Sequence, residues 1–350
     1  MKIGYLQSAD ERVPFSDLSI KKLEKDGHQV LLDEVFEIED SLKQFSKATS
    51  TVANEADLLI SLLPVKVEVL NQLKAHQHYI SFFKPYMPDY DASFLKDCAA
   101  KCYSVDMIPR STLAQSMDAL SSMASIAGYQ AVLLAAAKLP RYFPMLMTAA
   151  GTIRPAKVLV LGAGVAGLQA IAVARKLGAK VEVFDVRMAV KEEVESLGAK
   201  FVMVEGAVDI SEAGGYAVQQ TEAYQTKQKQ AIADAVKNAD VVITTAQLRG
   251  KTAPILVDEA MVESMQKGSV IIDLAASTGG NCACTKNEEE VNYKGVTIIG
   301  NSNLHLGCLQ DASTLVANNI HSYLKLFKEG EKGKVVNEHE ILQASKIHPK

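Results

Sequence analysis

Three glycines at positions 162, 164 and 167 have the spacing of a phosphate-binding turn. They follow a buried-type apolar run at 158–161 and precede a segment of helical character at 168–176. Gly162 permits a tight turn, Gly164 lets the backbone approach a pyrophosphate, and Gly167 lets the helix pack closely on the strand. The free N–H groups and the dipole of that helix favour a negative charge at its N-terminus. The pattern therefore predicts a dinucleotide site.

An acidic residue, Asp185, stands at the end of the next predicted strand, 180–184. A carboxylate there accepts hydrogen bonds from an adenosine ribose and repels a 2′-phosphate, which predicts a preference for NAD(H) over NADP(H). Arg187 has two interpretations: it could contact the cofactor, or it could compensate the charge of Asp185. A glycine-rich turn that binds no ligand is the competing interpretation of the whole segment.

A second group of polar residues could face a nicotinamide ring. Arg110 precedes Gln115, Asp118 and Ser121, which are spaced by threes along a predicted long helix from about 114 to 138. Residues at that spacing share a helix face, so a cation, an amide, a carboxylate and a hydroxyl would meet at a domain junction. The alternative is a structural network at the helix N-terminus in which Asp118 pairs with Arg110.

The elements that position these residues alternate between strand and helix, which indicates parallel sheets with helices on both faces. We predict an α/β fold of two doubly wound, Rossmann-like domains linked by long helices. The first comprises residues 1–125 completed by 312–350, and the second comprises 140–311. The pattern also predicts a short helix at 142–150 and a loosely held charged tail from 328.

The segment 205–220 contains several glycines and few apolar anchors. Beside a nucleotide site such a segment is a candidate lid, with an ordinary surface loop as the alternative.

Composition excludes several classes of function. With 37 basic and 41 acidic residues the chain has a net charge of −4, so it lacks the basic surface of a nucleic-acid-binding protein. The N-terminus has no signal-peptide pattern, and the most apolar helical stretch, near 128–139, is too short to span a membrane, so we expect a soluble protein. Five cysteines without a histidine partner pattern favour free thiols in a reducing cytosol over a metal site.

Several motifs together resemble one family. They are PRSTLAQSMDALSS, LGAGVAGLQAIAVARKLGAKVEVFDVR, EAGGYA, ADVVITTA followed by GKTAP, and GSVIIDLA followed by GGNC. This combination, which extends over nearly the whole chain, resembles the NAD(H)-binding component of the proton-translocating transhydrogenases. The resemblance implies hydride transfer from NADH to NADP⁺ bound on a separate component, coupled to proton movement through membrane subunits.

The resemblance also implies roles for individual residues. Those around the nicotinamide would be Arg110, Gln115, Asp118 and Ser121, and those holding the adenosine and pyrophosphate would be Gly164, Val165, Asp185, Val186 and Arg187. A loop that closes over the cofactor would include Gly215 and Tyr216. Further contact positions match Gln228 and Gln247.

Partners follow from the same resemblance. The chain ends at Lys350 without membrane helices, so we expect NADP(H) to be bound by a partner subunit and the proton path to lie in membrane-spanning subunits. The chain would be a homodimer in the cytoplasm, held peripherally at the inner membrane by those partners.

A sister family, the alanine dehydrogenases, is the main alternative. Arg12 matches the arginine that anchors the substrate in that family. The strand that should deliver a lysine before a proline reads LLISLLP, and the strand that should lead to a catalytic histidine reads YISFFKPYM. Ser277 stands at the position where an acidic residue is expected. Lys84 is nearby and could serve as an irregular substitute for the missing acid/base, which keeps this alternative open. A direct exchange between nicotinamides needs positioning and exclusion of water rather than proton transfer, which favours transhydrogenation. A non-catalytic NAD-binding module is a third interpretation.

Overall fold

The computed structural model describes residues 1–87, 89–204, 222–329, 335–336 and 339–348. The strands are β1 Lys2–Tyr5, β2 Gln29–Asp33, β3 Ser46–Lys47, β4 Leu58–Ile60, β5 His78–Ser81, β6 Lys101–Ser104, β7 Leu146–Thr148, β8 Gly151–Ile153, β9 Lys157–Leu161, β10 Lys180–Phe184, β11 Lys200–Phe201, β12 Val241–Thr244, β13 Val270–Asp273, β14 Glu289–Tyr293, β15 Val296–Gly300, β16 Lys328–Glu329, β17 Val335–Val336 and β18 Lys346–His348.

The α-helices are α1 Asp17–Lys25, α2 Thr49–Glu55, α3 Val67–Leu70, α4 Ala119–Lys138, α5 Val165–Lys176, α6 Lys191–Ser196, α7 Glu222–Lys237, α8 Glu259–Glu263, α9 Leu309–Leu324 and α10 Glu340–Ser345. Short 3₁₀ helices cover Asp40–Phe45, Ala92–Leu95, Val105–Met107, Thr112–Met117, Met188–Val190, Ala276–Thr278 and Leu304–Cys308.

Contacts divide the chain into two compact units, and unit 1 comprises Met1–Met123 with Cys308–Lys350. Its sheet has the order β18-β6-β5-β4-β1-β2-β3. All neighbours are parallel except β18, which runs antiparallel to β6. The prediction of a loosely held tail is therefore wrong for its final segment. α10 is anchored by the buried side chains of Ile341 and Leu342, and β18 extends the sheet.

Unit 2 comprises Ala124–Gly307. Its sheet has the order β11-β10-β9-β12-β13-β15-β14, parallel throughout except for β14. Along β9, Val158 and Val160 join one buried cluster while Leu159 and Leu161 join another on the opposite face. Successive strand residues point to opposite faces, so both faces of this sheet are covered, as a parallel sheet requires. Because the strand order reverses between β9 and β12, ligands are expected at the carboxyl ends of these strands. The two parallel sheets confirm the predicted α/β class.

Of the helices within the described ranges, one, α4, has the length and apolar composition that could cross a membrane. It is longer than the apolar stretch expected from the sequence. Its residues Ala131, Val132 and Ala135 are fully buried in the cluster that covers one face of the unit 2 sheet. This is the packing of a core helix.

The segment after α4 contradicts the predicted helix at 142–150. Strands β7 and β8 form an antiparallel hairpin there. The N–H of Ala150 donates to Thr148 Oγ1, and Gly151 adopts a φ of +130°, a conformation that glycine tolerates and other residues avoid. A tight turn therefore replaces the helix.

Candidate functional site

The turn after β9 is built around Gly162. This residue has a φ of +103°, and its N–H donates to the carbonyl of Phe184 over 2.8 Å. A Cβ added at Gly162 would lie 2.5 Å from Thr245 Oγ1, so only glycine fits. The Thr245 hydroxyl in turn donates to the Gly162 carbonyl over 3.1 Å. The end of β12 thus supports the glycine turn from the neighbouring strand.

The other two glycines have different surroundings. A Cβ at Gly167 would lie 1.9 Å from the Gly162 carbonyl oxygen, which is the close helix-to-strand contact that the sequence predicts. A Cβ at Gly164 would have no atom within 4 Å. Gly164 is the N-cap of α5 and Val165 its first residue. Open space beside the free N–H groups of a helix N-terminus fits a pyrophosphate.

Asp185 follows β10 and is buried. Its Oδ2 accepts a hydrogen bond of 2.7 Å from the N–H of Ala163, inside the glycine turn, and its Oδ1 accepts one of 2.8 Å from the N–H of Arg187. Burial works against ionisation of this carboxyl. The bonds from the Arg187 side chain and from these backbone N–H groups outweigh it, so the pKa of Asp185 is lowered.

Arg187 forms a two-pronged ion pair with Asp185. Its Nε lies 3.0 Å from Oδ1 and its Nη2 lies 2.9 Å from Oδ2. Of the two roles that the sequence allows for Arg187, the structure shows compensation of Asp185. Val186, between them, is half-buried.

The loops after β12 and β13 are joined by a residue that sequence reasoning missed. Asn281 is fully buried. Its Oδ1 accepts from the N–H of Ala246 over 2.9 Å, and its Nδ2 donates to the carbonyls of Ala246 and Pro254. Asp273, at the end of β13, accepts the N–H of Asn281 over 2.8 Å. The signal was a polar side chain in GGNC, in the loop that follows a buried strand.

Of the two predicted glutamine contacts, Gln247 lies next to this network. Its Nε2 donates to the carbonyl of Leu274 over 2.9 Å. The preceding residue, Ala246, lies beside the glycine turn, since its backbone nitrogen would be 3.5 Å from a Cβ added at Gly162. Gln228 is half-buried on α7, and its side chain bonds to no residue within the described ranges. The predicted loop residues Gly215 and Tyr216 lie outside the residues described.

In unit 1, a recess of about 440 Å³ contains all four residues predicted to surround the nicotinamide. Its lining consists of Pro109, Arg110, Ser111, Thr112, Ala114, Gln115, Asp118 and Ser121.

The local structure of this recess differs from the prediction. A 3₁₀ helix covers Thr112–Met117, and α4 begins only at Ala119, because Asp118 caps it. Asp118 Oδ1 accepts from the N–H of Ser121 over 2.9 Å, and Oδ2 accepts from its hydroxyl over 2.6 Å. The single helix face from residue 114 onward is therefore wrong, although Gln115 still meets the other residues in one recess.

Of the four residues predicted to surround the nicotinamide, Arg110 and Gln115 are exposed and Asp118 and Ser121 are half-buried. Among the described residues, no side-chain hydrogen bond or ion pair engages either one. The alternative of a network at the helix N-terminus therefore holds for Asp118 and Ser121, but its pairing of Asp118 with Arg110 is wrong. A guanidinium and an amide are left facing the recess with their donors and acceptor available to a ligand.

A buried amide on α9 holds the 3₁₀ turn that carries Gln115. Asn319 is 7% exposed, and its Nδ2 donates to the carbonyl of Ser116 over 2.9 Å. Sequence reasoning missed this residue, because the two ends of the bond are far apart in the chain and no local pattern marks it.

Arg12, the candidate anchor for an amino-acid carboxylate, is engaged inside the protein. Its Nη2 lies 2.6 Å from Asp10 Oδ2 and its Nε lies 2.9 Å from Asp10 Oδ1, with both side chains under one-tenth exposed. Its guanidinium carbon lies 5.7 Å from the ring centre of Phe82. Lys84 is exposed, and its backbone N–H donates to Asp106.

Two nicotinamide-nucleotide family descriptions match this chain. "Alanine dehydrogenase/PNT, N-terminal domain" matches residues 6–127, and "Alanine dehydrogenase/PNT, C-terminal domain" matches residues 131–348. The fold and the glycine turn define the class as a Rossmann-type oxidoreductase that binds nicotinamide nucleotides. The chain belongs to the alanine dehydrogenase/PNT family.

Individual relatives agree with this. The chain is 42% identical over 288 residues to the first of the alpha-subunit polypeptides of NAD(P) transhydrogenase from Rickettsia prowazekii, covering 80% of this chain and 74% of that protein. It is 50% identical over 224 residues to the protein of the same description from Rhodospirillum rubrum, covering 63% of this chain but only 58% of that one. The crystal structure of a transhydrogenase from Sinorhizobium meliloti has 36% identity and a TM-score of 0.86, covering 98% of this chain and 97% of that one. The resemblance to transhydrogenases is confirmed.

Proposed function

We propose that the chain is the NAD(H)-binding component of a transhydrogenase and passes hydride between NADH and NADP⁺ held on a separate subunit. The subunit names of its relatives support the existence of partners. Proton translocation by membrane-spanning subunits, a homodimeric state and a peripheral position on the cytoplasmic face of the inner membrane belong to the same proposal.

The observation that carries the proposal is the recess of Arg110, Gln115, Asp118 and Ser121. The recess offers hydrogen-bonding groups for a carboxamide. The carboxylate among these residues is Asp118, and each of its oxygens accepts a hydrogen bond from Ser121. Such a site positions a ring and leaves no group committed to moving a proton. Hydride exchange between two nicotinamides needs that kind of positioning, since no proton accompanies the hydride.

The cofactor, when bound, supplies the hydride at its nicotinamide ring. Within unit 2, we assign the pyrophosphate to the N–H groups at Gly164 and Val165, and the adenosine ribose to Asp185. Within unit 1, we assign orientation of the carboxamide to Arg110, Gln115 and Asp118. In this assignment Ser121 is a positioning residue, because its two hydrogen bonds fix the rotamer of Asp118.

The pairing of Arg12 with Asp10 argues against the alanine dehydrogenase alternative. A substrate carboxylate would have to displace a carboxylate already held at 2.6 and 2.9 Å in a buried setting. Breaking such a buried pair is costly.

The test combines the chain with a purified NADP(H)-binding component and follows reduction of an NADP⁺ analogue by NADH. We expect transfer that depends on both proteins. Absence of transfer with a component shown to be competent would overturn the proposal. Alanine-dependent reduction of NAD⁺ by the chain alone would favour the dehydrogenase.

A further inference from the structure

The hydrogen-bonding capacity of Asp185 is fully used by neighbouring protein groups. A carboxylate offers about four lone-pair sites on its two oxygens. Oδ1 accepts the backbone N–H and the Nε–H of Arg187, and Oδ2 accepts the N–H of Ala163 and the Nη2–H of Arg187. Yet this carboxylate is the group assigned to the ribose hydroxyls. A ribose can bind there only if some donor leaves.

We propose that the Arg187 side chain occupies the ribose-binding positions of Asp185 and is displaced when the nucleotide binds. The inference rests on the proposed function, since it assumes that Asp185 accepts the ribose. It adds to that function a residue that sets nucleotide affinity through competition.

The two kinds of donor on Asp185 differ in how readily they can leave. The N–H groups of Ala163 and Arg187 belong to the main chain of the glycine turn and of the segment after β10, and neither can leave without moving that main chain. The guanidinium is on a flexible stem, and the Arg187 side chain is 37% exposed, against 6% for Asp185. Its withdrawal leaves one position on each oxygen. The 2′- and 3′-hydroxyls of a ribose supply one donor for each.

The exchange is balanced in hydrogen bonds but not in charge. In the free chain Arg187 neutralises Asp185, which keeps a buried carboxylate stable. After displacement, two neutral hydroxyls replace the cation, and the guanidinium moves to solvent or to the bound nucleotide. Affinity for the ribose is therefore reduced by the free energy of the Asp185–Arg187 pair. Weakening that pair should increase ribose affinity.

Adenosine is the suitable probe, because it has the ribose hydroxyls and no phosphate charge that Arg187 could attract. We would titrate adenosine into the wild-type chain, Arg187→Ala and Arg187→Lys. The lysine variant keeps the charge and loses the two-pronged geometry. We expect both variants to bind adenosine about fivefold more tightly, the equivalent of ~1 kcal/mol for a partly exposed pair. A matched control ligand, 2′,3′-dideoxyadenosine, lacks both donors and should show no such gain.

A second measurement uses the unaltered protein. The Nε–H of Arg187 gives a proton–nitrogen NMR signal, assigned by its loss in Arg187→Lys. We expect adenosine, but not the dideoxy control, to shift this signal towards that of a free arginine.

The inference is overturned if adenosine binds the two variants no more tightly than wild type, or if the Nε–H signal is unchanged at saturating adenosine. Asp185→Asn separates this failure from failure of the proposed function. If that variant binds adenosine and NADH as tightly as wild type, Asp185 is not the ribose acceptor, and both ideas fail.

Discussion

Gly164 and Gly167 should respond differently to an added methyl group. We expect alanine at Gly164 to weaken nucleotide binding and alanine at Gly167 to destabilise the fold. In Gly164→Ala the new Cβ has no atom within 4 Å, so the fold accommodates it. Alanine is a poorer N-cap than glycine, and we expect a loss of under about 1 kcal/mol in the free energy of unfolding. In Gly167→Ala the Cβ would lie 1.9 Å from the Gly162 carbonyl oxygen. The helix must move by more than an ångström, and overpacking of this kind costs about 3 kcal/mol.

Circular dichroism during heating measures the loss of stability. For a unit of this size, about 3 kcal/mol corresponds to a Tm lower by roughly 6 to 12 °C in Gly167→Ala. A titration followed by NADH fluorescence measures the affinity for the nucleotide. In Gly164→Ala the methyl fills the space assigned to the pyrophosphate, so we expect NADH to bind at least about tenfold more weakly, or ~1.4 kcal/mol. Unchanged NADH affinity in Gly164→Ala would refute the pyrophosphate assignment, and a normal Tm in Gly167→Ala would refute the packing argument.

Three further predictions follow from single contacts. Asp118→Asn keeps an acceptor for the N–H of Ser121 and hence the helix cap, so we expect slower hydride transfer with little change in Tm or NADH affinity; equal losses in rate and affinity would mean that Asp118 only binds. Asp10→Ala leaves the buried Arg12 without this ion-pair partner, so we expect urea denaturation to give a free energy of unfolding lower by about 3 kcal/mol. A loss below about 0.5 kcal/mol would contradict the interpretation of this contact as a buried ion pair. Burial lowers the pKa of His78 to about 4 from an ordinary 6.5, so the unfolded chain takes up a proton at this histidine at a higher pH than the folded chain does. The free energy of unfolding should therefore fall by up to ~3 kcal/mol as the pH drops from 6.5 to 4. His78→Gln should remove this dependence, and an unchanged pH profile in the variant would exclude His78 as its source.

The dinucleotide turn was predictable because its causes are local. Gly162 adopts a positive φ, Gly167 approaches the Gly162 carbonyl five residues earlier, and Asp185 ends the strand that adjoins the turn. The same is true of the parallel sheets, since buried strands on both faces require continuous apolar runs.

The recess in unit 1 was predictable in membership but not in conformation. Periodicity alone could not show that Asp118 would bond to Ser121 and so start α4 later than expected. Likewise, the hairpin at 146–153 depends on the positive φ of Gly151, which competes with helix-forming neighbours.

Contacts between distant regions of the chain were beyond prediction from one sequence. The bond from Asn319 to the Ser116 carbonyl supports the candidate site, and no local pattern marks it. Asn281 stands out in the sequence as the polar residue of GGNC, but its bonds to Ala246 in the neighbouring loop do not. The pairing of Arg12 with Asp10 is a local contact, but the sequence alone would equally allow this arginine to bind a substrate carboxylate.

The proposed function requires hydride to pass directly between the two nicotinamides without a protein acid or base. A single-turnover reaction between NADH deuterated at the transferring C4 position, bound to this chain, and an NADP⁺ analogue on a purified NADP(H)-binding component tests this requirement. Mass spectrometry of the reduced analogue should find the deuterium retained, with none exchanged into water and no requirement for an amino or keto acid. Deuterium lost to solvent, or reduction that proceeds only when such an acid is added, would contradict the account.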